Sequence, residues 1–422
     1  QALQLFRELV DGRVNRDCIT YNAAISACEK GKAWEHALQL LCTMVEACAE
    51  RSTVTYSAAV SACEKGGEWR PALKLFREMA GNRVERNTIT FNAAISSCGK
   101  AGLWEVALQL LLDMADDRLE RNTTTFNATV SACEKGRAWE ASLQLLGAMS
   151  EDDVEGNTIT FNAAISACAT GGAWKSALQL LCQMAQKHVP KSTITFNASI
   201  SACAKGLVLG PALQLLREMG YARVERNTVT FNAAIGTCEK FGDWKLALQL
   251  LREMSDDSVA RSTITFNSAI SSCEKGKAWA PALQLLSEMA KDLVERSTIT
   301  FNAAISACAK GAVLTTALQL LRNMAQNRVE TNTITYSSVV SACETDGVWE
   351  LALQLLRELG GNRVERDPIT FSAAISSCGK VGLWKPALQL LLDMADDRLE
   401  SGTITFNAAV SACQQDGAWE QA

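Results

Sequence analysis

Sixteen cysteines and two histidines are the residues of this chain best suited to metal binding, disulfide formation or nucleophilic chemistry. Twelve of the cysteines recur at one interval of thirty-five residues, from Cys28 and Cys63 through Cys413. Zinc needs closely spaced ligands, whereas the nearest cysteine pair, Cys42 and Cys48, lacks the usual short spacing, and His36 and His188 stand far apart. No metal and no cofactor are expected. Equivalent residues of stacked helical units lie roughly 10 Å apart, beyond the ~7 Å Cα limit for a disulfide. The periodic cysteines are therefore read as reduced core residues, which favours an intracellular compartment. Neither a G-x-S-x-G elbow nor a G-x4-G-K-[ST] loop appears, so no enzyme is expected in this segment.

The elements that place these cysteines follow from the same period. Complete units begin at residues 18, 53, 88, 123, 158, 193, 228, 263, 298, 333 and 368, which gives eleven over 18–402. Residues 1–17 read as the second helix of a partial unit and 403–422 as a truncated twelfth. The chain opens inside the motif QALQL and stops after AWEQ, the residues that precede that motif, which reads as a segment of a longer array. A targeting peptide or a terminal catalytic domain beyond it stays open.

In the unit from Thr88, Thr90 is the expected N-cap, and Phe91, Ile95 and Cys98 form one helical apolar stripe. Gly66, Gly136, Gly171 and Gly276 fall where this helix should end and are expected to supply its left-handed cap. Trp104, Leu108, Leu111 and Met114 make the stripe of a second helix, and Pro71, Pro211, Pro281 and Pro386 sit at its start. Trp34, Trp69 and their equivalents share the phase of the Leu stripe and read as packing residues rather than a ligand ladder. Leu209 and Leu314 replace them in two units. No such unit buries two stripes alone, so the fold class is all-α, a right-handed superhelical solenoid of stacked helix-turn-helix repeats with the first helices lining one face. No apolar run approaches the ~18 residues of a membrane span. A net charge of -5 counts against a generic polyanion binder, so any nucleic-acid role must rest on a local basic stripe.

The string ITFNAAISAC-KG followed by W-ALQLL-M, two helices in thirty-five residues, resembles the pentatricopeptide repeat family over essentially the whole chain. Tetratricopeptide repeats run at about thirty-four residues and open with a W-x2-L-G-x2-Y motif that is missing here. The resemblance implies a single-stranded RNA partner held at about one base per repeat, in a mitochondrion or plastid, during RNA processing, stabilisation or editing. It also implies that a first-turn side chain of the first helix reads the base together with the last residue of the repeat. An amide suits that task because it offers both donors and an acceptor, and a hydroxyl is smaller and leaves room for a purine. The alternative is an Asn that only caps its helix.

By resemblance, Asn22 with Ser52 reads a pyrimidine and Ser57 with Asn87 reads adenine. Seven pyrimidine readers leaning to cytosine follow: Asn92 with Asn122, Asn127 with Asn157, Asn162 with Ser192, Asn197 with Asn227, Asn232 with Ser262, Asn267 with Ser297, and Asn302 with Asn332. Ser337 with Asp367 reads guanine, and Ser372, paired with Gly402, is assigned no base. The implied 5′ to 3′ site is pyrimidine, adenine, seven pyrimidines, guanine. Three residues before each reader stands the implied wedge between bases: Ile19, Val54, Ile89, Ile159, Ile194, Val229, Ile264, Ile299, Ile334 and Ile369, with Thr124 breaking the series. A buried anchor between loop and helix is the competing role.

Lys30, Lys65, Lys100, Lys135, Lys205, Lys240, Lys275, Lys310 and Lys380 recur near the end of the first helix and are the phosphate candidates, against a solvated helix-end lysine that complements the dipole. Nine such contacts would give a log-log salt slope of roughly -6, at about -0.7 per phosphate. Arg51, Arg86, Arg121, Arg226, Arg261, Arg296 and Arg366 precede the terminal residue and are expected to add to this stripe. The rival function is a peptide-binding scaffold of the tetratricopeptide kind, whose face should vary from repeat to repeat more than this one does. No membrane and no small-molecule substrate is expected. Ends without polar capping helices would expose apolar surface, which leaves self-association or a protein effector as further partners.

Overall fold

The computed structural model describes residues 17–47, 49–361 and 365–415. The partial helix expected before residue 18 and the end of the twelfth unit lie outside them. Every regular element among the described residues is an α-helix. First helices start at Cys18, Thr53, Thr88 and so on at thirty-five-residue steps to Thr403, and second helices start at Trp34, Trp69 and so on to Trp384. The chain divides into two compact units, Gln1–Val224 and Glu225–Ala422. Within each, first helices pack on one another in succession, and each second helix bridges the first helix of its own repeat and that of the next.

The core of a repeat is the predicted pair of stripes with one adjustment. Phe91, Ile95 and Cys98 are fully buried and meet Ala107, Leu110, Leu111 and Met114, whereas Leu108 is only half-buried. The repeated cysteines are free thiols inside this core, and Cys18, Cys42 and Cys182 are exposed. Burial disfavours the thiolate and pushes the Cys63 and Cys98 thiols up to about 11 and that of Cys273 to about 12.

Two terminal signals are displaced from where the sequence suggests. The N-cap of the helix from Thr88 is Asn87, whose side chain accepts from the Thr90 backbone N–H, so Thr90 is a residue inside the helix and not its cap. The same holds at Asn122, Asn157, Ser192, Ser262, Ser297, Asn332 and Asp367. The left-handed residue at the end of the first helix is likewise one place later than expected. It is Gly67, Gly102, Gly172, Gly242, Gly347 or Gly382, and in the other repeats Lys32, Arg137, Leu207, Lys277 or Ala312.

Gly66, Gly136, Gly171 and Gly276 serve another purpose. Each lies against the tryptophan that opens the second helix of the preceding repeat, and a Cβ on Gly136 would stand 2.3 Å from Trp104 Cδ1. These tryptophans are half-buried and stand edge-on against the glycine, and so they pack between repeats. The correspondence is partial: Leu209 is followed by Phe241 and Leu314 by Asp346 at this position, but Trp69 is followed by Ala101 and Trp349 by Val381.

Gly136→Ala should therefore destabilise the chain by about 1–3 kcal/mol through overpacking, read as a lower melting temperature; an unchanged melt would refute this packing. Because the folded state holds the repeated thiols neutral, the stability they lend is whole below the ordinary thiol value of 9.0 and is lost as pH climbs toward about 11. Melting temperature should fall steeply over that window. A thiol reagent near pH 8 should label Cys18, Cys42 and Cys182 well before the repeated cysteines, and equal rates would contradict their burial.

Candidate nucleic-acid interface

The first turn of every described first helix but one carries a large apolar side chain pointing into solvent. Ile19, Val54, Ile89, Ile159, Ile194, Val229, Ile264, Ile299, Ile334, Ile369 and Ile404 are 57–73% exposed. The anchor role is thereby excluded, since an anchor would be covered. Thr124 is exposed at the same place without the apolar surface.

One helical turn further on are the paired polar residues, and the structure joins them through a third that the sequence reading passed over. Thr160 is fully buried. It receives the Asn157 backbone N–H at 3.1 Å, and its hydroxyl donates to Asn127 Oδ1, one repeat back, at 2.5 Å. Asn127 Nδ2 leans to Asn157 Oδ1 at 3.4 Å, which closes a ring of three side chains. Equivalent threonine bonds reach Asn22, Asn92, Asn162, Asn232, Asn267 and Asn302 at 2.5–2.6 Å. Ser57 and Ser372 share a hydrogen bond with Thr90 and Thr405 in the same way. Asn197 lies in the first compact unit, and Asn227 and Thr230 lie in the second.

Asn87, Asn122 and Asn157 do cap a helix, and Asn87 and Asn157 also stand beside the first-turn residue of the preceding repeat. Ser337 departs from the pattern. Its hydroxyl donates to its own helix at the Ile334 carbonyl, and the Thr370 hydroxyl turns instead to Asp367. Ser57 and Asn302 are buried, and the other first-turn residues keep part of their surface open.

The basic residues are more committed than their spacing suggests. Lys65, Lys100 and Lys310 each pair at 2.7 Å with a glutamate of the preceding repeat, namely Glu29, Glu64 and Glu274, and Lys275 approaches Glu239 at 4.0 Å. Lys380 donates to the Glu344 carbonyl. Lys135, Lys205 and Lys240 follow repeats that have Gly99, Ala169 and Ala204 at the glutamate position, and no carboxylate pairs with them or with Lys30 among the described residues. Where Thr170 replaces lysine, burial raises the pKa of Glu134, against the lowering effects of the Ser166 hydroxyl and Lys135.

The arginines leave the stripe assigned to them. Arg121 stacks over Phe126 and pairs with Asp152 at 2.5 Å; Arg86 with Asp117, Arg261 with Asp292, and Arg366 with Asp397 repeat the pairing. Arg226 sits over Phe231 and reaches Asp257, while Arg51 and Arg296 lie over Tyr56 and Phe301. The five ion-paired arginines are buttresses that tie the end of one repeat to the end of the second helix of the next. No group of metal-binding side chains occurs among the described residues, and no helix there is long and apolar enough to cross a membrane.

The family model described as "Pentatricopeptide repeat domain" matches residues 44–101, 109–169, 144–206, 214–276 and 284–346, more than half of the chain. A second, "PPR repeat", matches 19–48, 89–119, 334–364 and 369–399. No curated protein matches. Among solved structures, the pentatricopeptide repeat protein PPR10 from maize is similar at 17% identity and a TM-score of 0.53, covering 99% of this chain and 69% of that one. PPR10 in complex with an 18-nt psaJ RNA element is similar at 18% identity and a TM-score of 0.54, covering 99% and 74%. At these identities the likeness is one of fold. The family models, the thirty-five-residue helix pairs and the fold all agree, and the chain belongs to the pentatricopeptide repeat family.

Proposed function

We propose that this chain binds single-stranded RNA along the row of first helices, one base per repeat, with each base held between successive exposed Ile or Val side chains. The observation that carries this reading is the exposed apolar ladder. Eleven such residues, nine of them beside a polar pair, suit a ligand with a flat apolar face and a polar edge at a regular interval. The similar complex with an 18-nt RNA element supports the choice of ligand. The proposed sequence is pyrimidine, adenine, seven pyrimidines rich in cytosine, guanine. Family membership supports a role in organellar RNA processing, stabilisation or editing. The proposed activity of this segment is binding, without catalysis.

The ion pairs alter the electrostatic expectation. A lysine already paired with glutamate displaces few counterions when it meets a phosphate, so Lys30, Lys135, Lys205, Lys240 and Lys380 carry most of the salt dependence. Four or five contacts at about -0.7 each give a log-log slope of about -3, in place of -6.

A gel shift on the proposed RNA over a salt series tests both statements. Tight binding that weakens when the adenine and guanine are exchanged for uracil, with a slope of about -3, is expected. Glu64→Gln, which frees Lys100, should tighten binding and steepen the slope by about 0.7. No binding at low salt would refute the function, and a slope of about -6 would refute the neutralised lysines.

A further inference from the structure

Resting on the RNA-binding reading, we propose that the buried threonine of each first helix is a positioning residue that sets the polarity of the reader before it, so that the asparagine readers offer a base donors only. The fifth repeat shows the wiring. Ser192 donates its backbone N–H to Thr195 Oγ1 at 3.0 Å, which occupies a lone pair of a hydroxyl that is fully buried. A buried hydroxyl must place its proton on a protein acceptor, and the nearest is Asn162 Oδ1 at 2.5 Å. That separation belongs to O–H···O; an amide N–H···O is longer, so a flipped Asn162 does not fit. The carbonyl oxygen is consumed inside the protein and the amide nitrogen is turned outward. One of its protons leans to Ser192 Oγ at 3.4 Å, and the other is open.

The same threonine-to-amide bond recurs at 2.6 Å from Thr265 to Asn232, from Thr300 to Asn267 and from Thr335 to Asn302. A reader that shows only N–H groups matches the O2 and N3 lone pairs of cytosine. It meets the N3–H of uracil and the N1–H of guanine donor to donor. The tenth repeat is wired the other way: Thr370 gives both its backbone N–H and its hydroxyl to Asp367 Oδ1, so the carboxylate keeps its second oxygen as an acceptor. The threonine thus decides which atom of its neighbour a base encounters, without touching the base.

The test measures the affinities of the chain for RNAs that differ only in the base opposite the fifth repeat. Unmodified protein should prefer cytosine to uracil by about fivefold, the scale of one net hydrogen bond. Thr195→Val keeps the shape and removes the proton, so Asn162 turns freely and the ratio should fall to within about twofold. Thr195→Ser should restore it. Ratios at the other positions should stay fixed, whereas a merely structural threonine would weaken all RNAs alike. Asn162→Asp, made on a partly exposed side chain, reads the wiring without disturbing the core: its outward atom becomes an acceptor, and the preference should pass from cytosine to bases that present an N–H. Selective binding with a ratio unchanged by Thr195→Val, or a cytosine preference kept by Asn162→Asp, overturns the assignment alone. Absence of RNA binding by the unmodified chain overturns the RNA reading and this assignment with it.

Discussion

A pair of helices of thirteen or fourteen residues has too little apolar area to hold itself together, and within each compact unit a repeat is completed by the one that follows it. The second helix is covered by the next first helix, and in several repeats its tryptophan lies against the glycine that ends that helix. The arginine that ends a repeat stacks on the aromatic residue of its successor and pairs with an acid further along. Thr53 and its equivalents donate to a carbonyl in the loop before the next repeat. These contacts all span a fixed distance in sequence, so none tolerates an insertion. Within each compact unit a strict period in the chain becomes a regular succession of helices, which is what the proposed ligand with its own repeat requires.

In the proposed RNA-binding role, the same economy explains how a chain with a net charge of -5 can present a face for a polyanion. The arginines that precede the terminal residue of a repeat, and part of the lysine charge, are spent between repeats against partly buried partners. What is left outward is a ladder of aliphatic side chains, a set of oriented amides and hydroxyls, and a few unpaired lysines. Such a face holds its ligand by stacking and hydrogen bonding first and by charge second, a balance that favours discrimination over indiscriminate adhesion.

The helices, their starts and most of their buried stripes were legible in the sequence because the period leaves little freedom: Phe91, Ile95 and Cys98 return unchanged in type at almost every step. What escaped was contact between repeats. Asn87 and Thr90 are both good caps, and a capping box closed by threonine in place of glutamate or glutamine gives no familiar signal, so the cap was set three residues late. Adjacent glycines such as Gly66 and Gly67 hide a division of labour that appears only once Trp34 is seen against the first of them. Lys100 reads as a free cation because its carboxylate, Glu64, lies thirty-six residues back, and Arg121 does so because Asp152 lies thirty-one ahead. The invariant threonine was visible at every step, and its role was not, since only the fold brings it to the reader of the preceding repeat.

The central claim is that one unit of protein corresponds to one unit of RNA. Removing residues 123–157 deletes one full period and leaves Asn122 to cap the helix from Thr158, with Gly171 in place of Gly136 and Thr160 in place of Thr125; the Arg121–Asp152 ion pair alone is lost, since Lys187 takes the place of Asp152. Nuclease footprinting of this variant beside the unmodified chain should show a protected RNA shorter by one nucleotide. A footprint of unchanged length, or one shortened by several nucleotides, would contradict the correspondence.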